Sequence, residues 1–248
     1  MLSDFHVHTK YSDGRDDPES VVLYALDKGC DKLGFSDHSY TFFDQSYCMK
    51  SRDIPKYRKE INDLKEKYKD KIAIFLGIEQ DFYSKKSPKN YDYAIGSVHY
   101  LRVGGKYYEI DGNKETFVKT VQDAFGGDYI SACEKYFDTI RKFAGRDRIS
   151  IIGHFDVVSK FNGDGSLFDE SDPRYVKAYK KAAKALVKAG KIFEINTSGY
   201  RKKRRSDVYP AKPIRDYIKS LGGKFILSSD SHKKEDLFFA FDEFIKES

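Results

Sequence analysis

The 248-residue chain has no tryptophan, two methionines, six prolines and three cysteines. Cys30, Cys48 and Cys133 are odd in number and show no CxxC spacing, which argues against a disulfide framework and against a thiolate metal site. No apolar run approaches the roughly 20 residues of a membrane helix, so no membrane association is expected. The first histidine motif is entered by residue 6, leaving no room for a signal peptide, and a cytoplasmic location is the expectation. A dominant charge is missing too. The 45 basic and 39 acidic residues leave a net +6, a mixed surface on which nucleic-acid binding is not expected. There is no GxSxG nucleophile elbow, no P-loop and no GxGxxG fingerprint.

What the chain does have is aromatic bulk and a pattern of histidines. With 19 Phe, 19 Tyr and 40% hydrophobic residues it can build a substantial core. All six histidines fall in short motifs: Asp4-Phe-His6-Val-His8, Ser36-Asp37-His38, Gly96-Ser-Val-His99, Gly153-His154-Phe-Asp156 and Ser229-Asp230-Ser-His232. Histidine with carboxylate is the ligand set of catalytic zinc, manganese and iron sites. His6 and His8 lie two apart on a strand, which aims both at one face.

Short apolar runs alternate with amphipathic segments, the pattern of repeated β–α units. Strands are expected at 2–7, 32–36, 72–78, 93–98, 148–152, 192–195 and 224–227. Helices are expected at 19–28, 54–68, 114–124, 128–144, 173–189, 210–221 and 235–245. Tyr100–Ile110, with Gly104-Gly105 at its middle, reads as an inserted hairpin. No linker rich in Pro, Gly or Ser interrupts the chain, so one domain over residues 1–248 is expected. His6/His8, Asp37/His38, Glu79, His99, His154, Glu194 and Asp230/His232 each fall at or just past the end of one strand. In an α/β barrel those ends converge on one rim, where active sites are built. The fold class expected is therefore α/β, a single irregular (β/α)7 barrel with its metal site on that rim.

Glu79 ends the apolar run 72–78, and its two oxygens can bridge two ions. Asp37 is either a ligand or an acid that orients His38. The run Glu194-Ile-Asn-Thr-Ser-Gly-Tyr-Arg201-Lys202-Lys-Arg-Arg205 puts cations just past a strand end, which suits an anionic substrate, phosphate above all. Arg201 is nearest the strand and is the first choice as phosphate ligand, with Lys202 beside it. The rest of the run reads as a solvated basic loop.

These residues resemble the PHP (polymerase and histidinol phosphatase) family along essentially the whole chain. The signature HxHxxxSDG is here His6-Val-His8-Thr-Lys-Tyr-Ser12-Asp13-Gly14, and the SDH, Glu, SVH, GH and DSH blocks follow. Gly153–Asn162, Asn196–Lys202 and Tyr209-Pro210 are similar to the monofunctional histidinol-phosphatases within it. The resemblance implies three divalent ions, zinc, manganese or iron. One would be held by His6, His8, Glu79 and Asp230. A second would be held by Glu79, His99 and His154. The third would take His38, His232 and a loop carboxylate, Asp13 or Asp16, with Asp13 favoured. It leaves Glu194 to a supporting position behind the ligands. It also implies hydrolysis of a small phosphate monoester, L-histidinol phosphate, with attack on phosphorus in line. Glu79 and Arg201 are then catalytic, and Asp156 is the candidate general acid. Asp81 or Asp156 would receive the substrate ammonium group, with Tyr100 or Phe155 against its imidazole. The alternative is a phosphoesterase of the same family acting on nucleotides or nucleic-acid ends.

Overall fold

The computed structural model of the protein describes residues 2–247. Seven parallel strands form one sheet: β1 (Ser3–Asp4), β2 (Lys32–Phe35), β3 (Ala73–Asp81), β4 (Tyr93–Ser97), β7 (Ile151–Ile152), β8 (Ile192–Asn196) and β9 (Lys224–Ser228). They stand side by side in chain order, and the first and last meet through a parallel bridge between Val7 and Ser231. There His8 N donates to Ser231 O at 2.9 Å and Ser231 N donates to His6 O at 3.2 Å. The result is a nearly closed seven-stranded barrel. Between β4 and β7 the chain inserts the antiparallel hairpin β5 (Tyr100–Val103) and β6 (Lys106–Glu109), turned at Gly104 and Gly105, both at positive φ.

The main helices connecting the strands are α1 (Pro18–Asp27), α2 (Ile54–Tyr68), α3 (Lys114–Phe125), α4 (Tyr129–Arg141), α5 (Pro173–Lys188) and α7 (Lys212–Ser220), with a short α6 (Ser198–Arg201) and α8 (Phe241–Phe244). Their starts follow sequence chemistry. Asn113 and Asp128 accept backbone N–H bonds from Thr116 and Ser131, at 2.8 and 2.9 Å, to cap α3 and α4. Pro18 and Pro173 occupy first turns, where the missing N–H costs nothing. Tyr175, Tyr179, Ala182, Ala183 and Leu186 give α5 a buried stripe at helical spacing. No helix among the described residues is long and apolar enough to cross a membrane.

Below the rim Tyr93 reaches from β4 to the chain at Phe5 and Phe35. Its hydroxyl donates to Phe5 O at 2.6 Å and lies 3.1 Å from Phe35 O. Gly34 and Gly77 make room for it: a Cβ at either would come within 2.4 Å of a Tyr93 atom. Gly77 precedes Glu79 by two residues on the same strand face, and Tyr93 is its partner in the register of β4.

Two expectations are corrected. β3 runs on to Asp81, because β4 keeps pairing with it through Glu79↔Ile95 and Asp81↔Ser97, so Glu79 sits within the strand. The final helix expected at 235–245 is broken. A single 3-10 turn at Lys234–Asp236 is followed by positive φ at Phe238 and Ala240, leaving α8 four residues long. Burial of Phe241 with Ile195, Val208 and Leu227, and packing of Phe238 against them, outweighs local helix propensity there.

Candidate metal centre

Glu79, 1% exposed, is ringed by five imidazoles. Its Oε2 lies 2.7 Å from His38 Nδ1, 3.4 Å from His6 Nε2 and 3.7 Å from His8 Nε2. Its Oε1 lies 3.2 Å from His154 Nε2 and 3.3 Å from His99 Nε2. A second group forms nearer the mouth around Asp13, with Oδ2 3.2 Å from His232 Nε2 and Oδ1 3.6 Å from His38 Nε2 and 3.8 Å from His8 Nδ1. Asp230 joins the two groups. Its Oδ1 is 3.3 Å from His8 Nε2, 3.7 Å from His232 Nδ1 and 3.9 Å from His6 Nε2.

Asp13 and Asp16 have different partners. Asp16 accepts from Lys234 N at 2.8 Å and lies outside the group, whereas Asp13 points into it. Asp37 turns away from the imidazoles: its oxygens accept from the backbone and hydroxyl groups of Thr9 and Ser12, fixing the loop that carries Asp13.

Burial pushes the Glu79 carboxyl up, yet His38, His6 and His99 beside it hold it well below the usual carboxylate range. Burial likewise opposes protonation of His6, but Glu194 and Glu79 raise it well above an ordinary imidazole. His8 goes the other way, down to about 3, through burial and the neighbouring His232 and His38. His6 Nε2 and both His8 nitrogens are buried without a hydrogen-bond partner. Buried polar atoms left unpaired cost free energy. Imidazole nitrogens and carboxylates converging in this way fit divalent cations, and three His/Asp/Glu groupings among the described residues share that geometry.

Polar side chains hold the ligands from behind. Glu194 Oε1 accepts from His6 Nδ1 at 2.7 Å, turning Nε2 toward Glu79, while Oε2 accepts from His154 N at 3.0 Å. Asp81 accepts from His99 N at 3.1 Å and from Tyr83 N at 2.7 Å, so it serves the site by placing His99. Asp230 has a backbone φ of 50°, unusual for a residue other than glycine. Ser198 Oγ and Asn196 Nδ2 hold its carboxylate at 2.9 and 3.3 Å.

The groups open into a cavity of about 300 Å³ lined by Asp13, His38, Glu79, His99, His154, Asp230 and His232. Lys160, Lys202 and Arg204 supply its positive wall. Three sequence expectations are corrected here. Arg201 does not reach the cavity: its guanidinium donates to Ser229 O at 2.7 Å and Asp230 O at 3.2 Å and pairs with Asp236 at 3.3 Å. It braces the loop carrying Asp230 instead of meeting substrate. Asp156 is fully buried behind the rim, accepting from Ala211 N at 2.9 Å, which removes it as general acid or ammonium partner. Phe155 is packed in the core between Phe137 and Phe193. Sequence reasoning missed Lys160, Tyr47, Glu109 and Asp111, all of which line the cavity, and assigned Arg204 to solvent. The one available signal was Lys160, six residues past His154 in the same motif block.

A parallel barrel with a histidine–carboxylate cluster at the C-terminal rim, opening toward lysine and arginine, defines a metal-dependent hydrolase of phosphoesters. Residues 4–198 match the PHP domain, and the chain belongs to that family. A Deinococcus radiodurans protein named "Probable histidinol-phosphatase" is 30% identical over 99% of this chain and 92% of its own length. Two solved structures share the fold. One, the "putative histidinol phosphatase" from Listeria monocytogenes, has a TM-score of 0.86 at 23% identity, covering 98% of this chain and 99% of its own. The other is histidinol phosphate phosphatase from Lactococcus lactis, complexed with zinc, L-histidinol and phosphate. It has a TM-score of 0.73 at 22% identity, covering 99% and 92%.

Proposed function

We propose that the chain is a metal-dependent phosphomonoesterase that hydrolyses L-histidinol phosphate to L-histidinol and inorganic phosphate. The observation that carries this is one cavity in which the Glu79-centred cluster faces Lys160, Lys202 and Arg204. The name borne by the Deinococcus relative, and the ligands of the Lactococcus structure, supply the identity of the leaving group.

Three divalent ions (zinc, manganese or iron) would occupy the rim. His6, His8, Glu79 and Asp230 would hold one, Glu79, His99 and His154 a second, and Asp13, His38 and His232 the third. Such ions supply Lewis acidity, bringing the pKa of a coordinated water from about 15.7 toward 7 and offsetting phosphoryl charge. The chain's own residues do the rest. Glu194 fixes the proton of His6 on Nδ1, so that Nε2 remains a lone-pair donor. Lys160, Lys202 and Arg204 bind phosphoryl oxygens and stabilise the charge they carry in a loose transition state. Burial of Glu79 and the imidazoles keeps bulk water from competing for the ligands.

The test is phosphate release from L-histidinol phosphate, nucleotides and simple phosphomonoesters by protein of measured metal content. Histidinol phosphate should give the highest kcat/KM. Equal or better turnover of nucleotides would replace this reading with that of a nucleotide phosphoesterase.

A further inference from the structure

The hairpin β5–β6 has no place in the ligand set, yet it forms one wall of the cavity. Tyr100 and Glu109 are directly opposite each other in its register, and both line the cavity. Cross-strand partners project to the same face with Cβ atoms about 5 Å apart. An aromatic ring and a carboxylate therefore stand side by side, facing the zone where Lys160, Lys202 and Arg204 gather. The neighbouring residue pair, Leu101 and Tyr108, belongs to the opposite face.

The pair is held in place. Tyr100 donates its hydroxyl to Asp44, its ring lies 6.1 Å from that of Tyr47, and Glu109 O accepts from Thr120 Oγ1 at 2.7 Å. The acids around the cavity differ in their employment. Asp44 is taken by Tyr100 and Ser46, and Asp111 lies 3.9 Å from Lys160 Nζ. Among the described residues the Glu109 carboxylate makes no hydrogen bond and no ion pair, which leaves it open to receive a cation from the substrate.

We infer that the hairpin is the specificity element of the enzyme, with Glu109 receiving the substrate's ammonium group while Tyr100 packs against its imidazole. The inference rests on the reading of the substrate as L-histidinol phosphate. A phosphomonoester with an ammonium group on the second carbon from the ester oxygen is bipolar, and this cavity is bipolar in the same sense. Its cations bind the phosphoryl end and the hairpin carboxylate the amine.

Glu109→Gln keeps the size of the side chain and removes its charge. It should raise KM for L-histidinol phosphate roughly tenfold, as loss of a charge-assisted hydrogen bond does, with kcat nearly unchanged. The des-amino analogue of that substrate should be hydrolysed by wild type and variant alike, which also shows that the variant folds. Glu109→Asp should recover part of the loss. An equal change for both substrates, or none for either, overturns the assignment. If wild type prefers no imidazole-bearing substrate, the histidinol reading fails. The ratio of phosphoethanolamine to propyl phosphate turnover in wild type and Glu109→Gln then decides the role of Glu109: a falling ratio upholds it and a constant ratio overturns it.

Discussion

The two ligand groups of the rim are built differently. The Glu79 group stands on barrel strands and their immediate ends, and the side chains of Glu79, His6 and His8 are sealed from solvent. The Asp13 group hangs on loops, with Asp13 33% and His232 27% exposed. Ladder hydrogen bonds fix the first, so its ligands are placed before any ion arrives. The second depends on contacts between loops: Asp37 pinning Thr9 and Ser12, and Arg201 gripping the carbonyls of Ser229 and Asp230. The barrel supplies preorganisation, and the loops supply an accessible and more easily lost position.

The sharpest way to break this contrast is at its centre. Glu79→Gln should cost about a thousandfold or more in kcat/KM, since it removes the carboxylate that both inner ions would share and with it several kcal/mol of charge stabilisation. Retained activity within tenfold would show that Glu79 is not the hub. Glu194→Gln leaves the ligands in place and frees the His6 ring. Metal titration should reveal an affinity lower by about 10- to 100-fold, the usual effect of losing a partner behind a ligand. Asp13→Asn should release one ion while the inner ones stay, with activity down roughly tenfold, because only outer charge stabilisation is lost. Uniform loss of all metal from that variant would erase the distinction between the groups.

Smaller effects separate the cations. Lys202→Ala or Arg204→Ala should weaken inhibition by phosphate roughly fivefold, comparable with loss of one exposed charged contact. Arg201→Ala should leave that inhibition close to wild type and lower the melting temperature by about 5 °C, because buried carbonyls lose their donors. The weakest effect is expected far from the rim. Arg215 donates to Glu247 and holds its carboxyl below the usual carboxylate range. A depressed folded pKa adds stability that is present above the unfolded value and lost as pH falls through the folded one. Glu247→Gln should thus melt about 1 °C below wild type at pH 7 and together with it in strong acid, with metal content unaltered.

Much of the barrel was legible because its strands carry continuous apolar runs and its helices carry buried stripes, and these two periods are hard to confuse. The convergence of the histidines and carboxylates was legible because strand ends converge, so position along each run placed His6, Glu79 and His154 on a common rim. Arg201 shows what sequence order does not carry. In the helical turn α6 each step rotates a side chain by about 100°. Being nearest the strand therefore aims Arg201 back over Ser229 and Asp230, while Lys202 meets the cavity. Lys160, Glu109 and Asp111 reach the cavity through loop and hairpin paths that hydrophobic periodicity does not encode.

Gly34 and Gly77 contribute no ligand, charge or hydrogen-bonding side chain, yet the chemistry is hostage to both. A methyl group at either would come within 2.4 Å of Tyr93 and displace the ring that ties β4 to Phe5 and Phe35, and Gly77 shares its strand with Glu79. For a barrel of this kind the freedom to vary is therefore smallest where the side chain is smallest. Two hydrogen atoms, at positions that look like spacers, limit what the seven strands above them can be asked to hold.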